Sequence, residues 1–224
     1  MDKNSEVILA NVDVATGATF TDAASNYSNI SGAVHHNVNL SASVTAVENA
    51  YSNDSTLAAT QTFSGSKLNA PLTVQGTAGV NVIDINGNLT QKLTLNGPAA
   101  SRWVVNVTGQ IQLNAGAGIV TTGGVHTDQV IIDYESSKTL QINSAVIDGN
   151  IIDPLSAAQI NMSTINGNLY FGSNQTIAIN SGLITAPTPK ALSSVLVILG
   201  AVGGFGLLQN AIRRNGGLQM LKLA

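Results

Sequence analysis

The stretch from Leu140 to Gly182 reads LQINSAVIDGNIIDPLSAAQINMSTINGNLYFGSNQTIAINSG, and one phrase returns within it. Ile147-Asp148-Gly149-Asn150-Ile151 comes back eighteen residues later as Ile165-Asn166-Gly167-Asn168-Leu169. Ile142-Asn143 is followed by Ile160-Asn161 and then Ile179-Asn180, at steps of 18 and 19. The same word stands earlier as Ile85 to Leu89. One coil of a parallel β-helix demands a near-constant step of this size, because each coil must return the chain one strand spacing higher. Ile142, Ile160 and Ile179 are then expected to stack as core on successive coils. Asn143, Asn161 and Asn180 are expected to stack at one corner, with amide bonds from coil to coil. The competing reading takes each Asn-Gly as the hairpin turn of a β-sandwich. The repeat favours the solenoid.

Upstream the same texture begins at Leu72. Val80 to Ile85, Leu93 to Leu95, Trp103 to Val107, Ile111 to Leu113 and Val130 to Ile132 are short β-branched or aliphatic runs, each closed by Asn-Gly, Gly-Pro, Thr-Gly, Ala-Gly or a similar breaker. Before them the pattern changes. Val7, Leu9, Asn11 and Asp13 alternate as in a short strand. Phe20, Ala23, Ala24, Tyr27, Ile30 and Val34 fall at helical spacings behind a Thr19-Phe20-Thr21-Asp22 capping box, which predicts an amphipathic helix over 20–36. The Ser/Thr/Asn-rich connection after it holds Leu40, Val44, Val47 and Tyr51, a weaker second helical pattern.

The tail changes again. Ala186-Pro187-Thr188-Pro189 is a stiff extended break. Ala191 to Leu208 follows, eighteen residues without a charge, and then Arg213-Arg214. A run of that length reaches the lower bound of roughly 17–25 residues for a membrane-spanning helix, and the arginine pair stands where a positive-inside orientation wants it. Three regions result: 1–70 with the N-terminal strand, the amphipathic helix and the polar connection; 71–185, the β-solenoid; and 186–224, the linker, an anchor helix and a basic tail. The expected fold class is mainly β, a parallel β-helix with an accompanying N-terminal α-helix and a C-terminal hydrophobic helix.

Composition narrows the function. Only 9% of residues are charged, against roughly 25% in an average soluble protein. Hydrophobic residues make up 44%, enough to build a core. With net charge −3 and no basic cluster before Arg213, the chain offers nothing to displace counterions from phosphates, so nucleic acid is excluded as a partner. There are no cysteines, hence no disulfide framework, thiolate metal site or thiol nucleophile. The opening Met1-Asp2-Lys3-Asn4-Ser5-Glu6 shows no signal-peptide pattern.

Several phrases resemble the choice-of-anchor A family of bacterial surface domains. They are Gly79 to Ile85, Leu93 to Pro98, Val104 to Gly109, Val130 to Glu135, and the run Leu140 to Gly182 with its Ile-Asn-Gly-Asn turns. Ile147 to Ala158 and Ile165 to Ser173 match best, with Asp153-Pro154-Leu155 in place of the family's Ala-Pro-Asn. The resemblance spans about residues 20–185, and the helical stretch after Phe20 sits where that family carries a helix. It implies a secreted, surface-held solenoid with adhesive or matrix roles and no catalysis. The tail resembles a Pro-Glu-Pro sorting signal, departing from it at Thr188 and in the extension Asn215 to Ala224.

Few residues suggest chemistry. His35 and His36 are adjacent and point in different directions, and His126 stands alone, so no metal is expected. No Gly-x-Ser-x-Gly elbow and no phosphate loop occurs. Asp148 takes the turn position held elsewhere by Asn86 and Asn166, and is read as a turn former. Asp133 and Glu135 lie two apart on one strand, roughly 7 Å from each other. They are the only pair resembling glycosidase carboxylates, and their setting beside Ser136-Ser137 suggests a solvated strand end. Thr90, Thr94 and Thr108 are candidates for an ice-binding array, although no Thr-x-Thr ladder recurs at the coil step. The expected function is therefore a non-enzymatic, membrane-anchored structural or adhesive protein at the cell surface. It would touch extracellular polymers or polysaccharide, without catalytic, cofactor-binding or metal residues. An ice- or polysaccharide-binding solenoid is the alternative.

Overall fold

The computed structural model describes residues 7–8, 12–15, 33–39, 41–54, 56–171, 176–180, 182–185 and 198–199. All strand pairs in its three main sheets are parallel, and the sheets wrap one common core, so the fold is a parallel β-solenoid. The first sheet has seven strands in the order Leu72–Gln75, Lys92–Asn96, Gly118–Thr122, Val146–Asp148, Thr164–Asn166, Leu183–Thr185 and Val7–Ile8. The second, also of seven, runs Gln61–Ser64, Gly79–Asn86, Ser101–Val107, Val130–Tyr134, Asn150–Asp153, Leu169–Phe171 and Ile198–Leu199. The third has four: Gln112–Leu113, Leu140–Asn143, Ala158–Asn161 and Ile177–Asn180.

Register turns the repeat into a core. Ile142, Ile160 and Ile179 pair in line on the third sheet, with Leu113 ahead of them. The first two are fully buried and Ile179 packs against the same core. On the first sheet Leu72, Leu93, Ile119, Ile147, Ile165 and Ile184 form the inward column. On the second it is Ile83, Val105, Ile132, Ile151 and Leu169. Each such side chain contributes about 1.5–3 kcal/mol when it leaves water, so three stacked columns supply most of the driving force. Asn143, Asn161 and Asn180 stack as expected. Asn161 donates to Asn143 Oδ1 at 2.6 Å, and Asn180 donates to Asn161 Oδ1 at 2.8 Å. The Asn-Gly turns stack too: a side chain at Gly167 would overlap the Gly149 carbonyl one coil away, so the turn needs glycine for close approach.

Two expected helices are corrected. Val34–Val38, the end of the stretch read as helix 20–36, is a strand paired with Val12–Ala15; residues 20–32 lie outside the described residues. Val34 packs against the main core from this strand, so burial of a β-branched residue outweighs the helical spacing. The described helix is Ser41–Asp54, the weaker of the two patterns. Asn39 opens it, its Oδ1 accepting from Ser41 N at 3.1 Å and Ser41 Oγ at 2.6 Å.

The C-terminal helix is corrected at the one point described. Ile198–Leu199, in the middle of the apolar run, is a strand paired with Tyr170–Phe171 on the second sheet. Buried parallel strands read as continuous apolar runs, which length alone does not separate from a helix. Among the described residues no helix is long and apolar enough to cross a membrane.

Candidate functional site

Three outward faces differ in chemistry. The first carries short side chains. Its register sets Thr73 beside Thr94, then Val120, and Asp148 beside Asn166 and Thr185. A neighbouring column holds Lys92, Gly118, Val146, Thr164 and Leu183. Side-chain bonds hold this surface in place. Asn166 donates to Asp148 Oδ1 at 2.7 Å, and Thr185 donates to Asn166 Oδ1 at 2.9 Å. In a third column Asn96 donates to Gln75 Oε1 at 2.7 Å and Thr122 to Asn96 Oδ1 at 3.1 Å. Asp148 also accepts from Thr121 N at 3.0 Å, so its charge is engaged by its own sheet. The turn role expected of Asp148 becomes a rung of this ladder.

Six parallel strands, from Leu72–Gln75 to Leu183–Thr185, roughly 4.8 Å apart and with alternate residues about 6.6 Å apart along each strand, make the first face a rectangular grid. Threonine and valine hold few rotamers at χ1, so the grid is stiff. Of the three threonines singled out in the sequence, only Thr94 lies on it. Thr90 is half-buried just before the strand, and Thr108 faces a cleft on another side. Thr73, Thr164 and Thr185 were missed, for a plain reason. Successive inward residues Leu72, Leu93, Ile119, Ile147, Ile165 and Ile184 are 21, 26, 28, 18 and 19 apart, so no fixed period exposes the column.

The third face presents amides. Gln112, Gln141 and Gln159 align outward, followed by Ala178, beside the asparagine ladder. Free glutamine side chains are long, and ordering each costs about 1.5–2 kcal/mol of rotamer freedom.

The second face is covered. Val82, Val104, Ile131, Ile152 and Tyr170 point away from the central core yet are buried. The helix end lies against this face: Asp54 acts electrostatically on Asp133, and Leu57 closes a cleft lined by Asp84, Asn86, Asn106, Thr108 and Glu135. Here the expectation of solvated carboxyls is corrected for Asp133, which is 0% exposed. Burial raises it well above the usual carboxylate range, with the Asp54 and Glu135 charges adding to the effect. Glu135 is half-buried and raised by burial and by Asp84. The two acids therefore do not flank one open groove: one is sealed and the other lines the cleft. The histidines stand apart, His35 and His36 exposed on a strand and His126 exposed before a turn. Among the described residues no group of three His, Asp or Glu is placed to hold a metal ion.

No protein-family model and no curated protein matches the chain. Solved structures do, among them two ice-binding proteins. One is an ice binding protein from an Antarctic bacterium of the Flavobacteriaceae, with TM-score 0.59 and 18% identity over 83% of this chain and 46% of the other. This chain thus spans about half the length of that protein. The second is an ice-binding protein from the Antarctic ascomycete Antarctomyces psychrotrophicus, with TM-score 0.54 and 23% identity over 84% of this chain and 95% of the other. At these identities the shared property is the fold, a parallel β-solenoid.

Proposed function

We propose that this chain binds ice through the first face. The observation that carries the reading is the geometry of that face: a grid of mostly short side chains, tied by hydrogen bonds across six parallel strands, with Lys92 and Asp148 as its charged residues. Ice presents a rigid lattice of oxygens at spacings of the same scale. A surface that already holds its groups in a lattice loses little entropy on meeting it. The glutamine face lacks this advantage, and the second face is covered. The fold shared with two ice-binding proteins supports the reading, which thereby stands ahead of the anchored, adhesive role expected from composition.

The test is ice-recrystallisation inhibition by the full chain and by three variants. Thr94→Tyr and Thr164→Tyr, which raise bulky rings from the grid, are expected to lose most of the activity with an unchanged melting temperature. Gln141→Tyr on the third face is expected to keep it. An inactive parent chain would overturn the proposal. Full activity in both threonine variants would overturn the choice of face.

The polysaccharide-binding alternative has one observation in its favour, the outward amide column of exposed Gln112, half-buried Gln141 and exposed Gln159. It predicts glycan-array binding that Gln141→Tyr removes.

A further inference from the structure

Four buried oxygens beside the second face have no hydrogen-bond partner among the described residues: Asp54 Oδ2, Asn106 Oδ1 and both carboxyl oxygens of Asp133. They come from three elements, the end of helix Ser41–Asp54 and the strands Ser101–Val107 and Val130–Tyr134. Asn106 and Asp133 are register neighbours, roughly 4.8 Å apart on adjacent strands. The Asn106 amide nitrogen already donates to Asp84 Oδ1 at 2.9 Å on its other side. Its oxygen is left for the side where Asp133 stands. The charged groups that act on Asp133 are both acids, Asp54 from the helix and Glu135 from its own chain segment, and Glu135 in turn feels Asp84.

A sealed carboxylate with no donor and no counter-charge is strongly disfavoured. The neutral acid removes that cost and supplies the missing donor, an O–H for Asn106 Oδ1. We propose that protons held by Asp133 and Asp54 clasp the helix Ser41–Asp54 to the second face, and that the helix loosens when rising pH removes them to solvent. Burial moves both groups in the required direction, Asp54 to about 7 and Asp133 well above its ordinary value. The folded chain then holds protons that the unfolded chain has lost above the ordinary value of 3.8. By linkage the clasp is complete below that pH, weakens through about 7 as Asp54 titrates, and weakens further as Asp133 follows.

The chain has no cysteine, so an introduced one is a unique probe. Ile131→Cys reports opening of the covered face, where Ile131 is 1% exposed. Thr45→Cys, at an exposed helix position, is the reference that cancels thiol ionisation. The ratio of their labelling rates is expected to rise between pH 6 and pH 9, by up to roughly tenfold per pH unit for one proton released on opening. Adding Asp133→Asn, whose amide keeps a permanent donor, is expected to flatten the rise and keep the ratio low at pH 9. Asp54→Asn should remove the lower-pH part and gives the answer should the first variant fail to fold. Asp153, also raised to about 7, is buried elsewhere among donors from Leu155 and Ser156 and is common to all variants. A ratio constant with pH, or a rise that survives in both variants, would overturn the proposal. So would closure at pH 9 restored by millimolar calcium, which would make the oxygens a cation site.

Discussion

At Gly167 a single methyl group has nowhere to go, because the carbonyl of Gly149 in the adjacent coil fills the space where it would sit. Gly167→Ala must move backbone against backbone, and we expect it to cost about 1–3 kcal/mol, toward the upper end. Gly182→Ala is the control, since the nearest neighbour of its added methyl is a side-chain methyl of Ile179 at 3.3 Å and not a backbone atom. Urea unfolding of the two variants measures the difference, and equal losses would show that the turns do not stack this closely. Asn161 makes a second prediction at this scale. It donates to Asn143 and accepts from Asn180, so Asn161→Ala removes two bonds worth about 0.5–1.5 kcal/mol each. Both residues were legible in the sequence because glycine and asparagine recur there at the same step. Asp133 was not. Its neighbours Tyr134 and Ser136 signalled a strand end, and only the covering of the second face shows that an outward residue is buried.

The same contrast governs the elements. Strands whose side chains repeat in line, such as Leu140–Asn143 and Ala158–Asn161, were readable because stacked coils force one residue type into one column. Ile160 occupies the middle of such a column, fully buried between Ile142 and Ile179. Ile160→Ala is expected to destabilise the chain by about 2–5 kcal/mol through the cavity it leaves. A thermal or urea melt checks this, and a loss under 1 kcal/mol would mean that the stack collapses around the gap. Elements that occur once were not readable. The stretch 20–36, from Phe20 to Val34, offered spacings compatible with a helix, and the run around Ile198 offered length compatible with a membrane span. Each was decided by the partner strand it meets, Val12–Ala15 in one case and Leu169–Phe171 in the other. Local pattern holds no information about such a partner. The first face was partly legible for the same reason: its threonines sit in register only after coils of unequal length have closed.

For the molecule as a whole, the ends matter as much as the coils. A solenoid grows by adding strands, so its last coil offers unpaired backbone groups to any chain that continues the sheet. Here the chain's own N-terminal strand fills that place. Val7 pairs with Leu183 and Ile8 with Ile184, so Val7–Ile8 becomes the next rung beyond the last coil of the first sheet. At the opposite end the first sheet finishes at Leu72–Gln75, where the Gln61 side-chain nitrogen donates to the Gln75 carbonyl at 3.0 Å. The short turn Gly65–Asn69 buries Leu68 beside it. Without Val7–Ile8, the exposed strand Leu183–Thr185 of one molecule can pair in parallel with Leu72–Gln75 of another. Such a head-to-tail contact does not close on itself and propagates into a fibre. A chain lacking its first fifteen residues is therefore expected to be less stable and to sediment as open-ended assemblies whose size grows with concentration. Replacing Gln75 with Pro in the same shortened chain should shrink those assemblies, because proline withholds a backbone donor from the receiving edge. A shortened chain that stays monomeric at high concentration would show that Val7–Ile8 is not what stops the stack from growing.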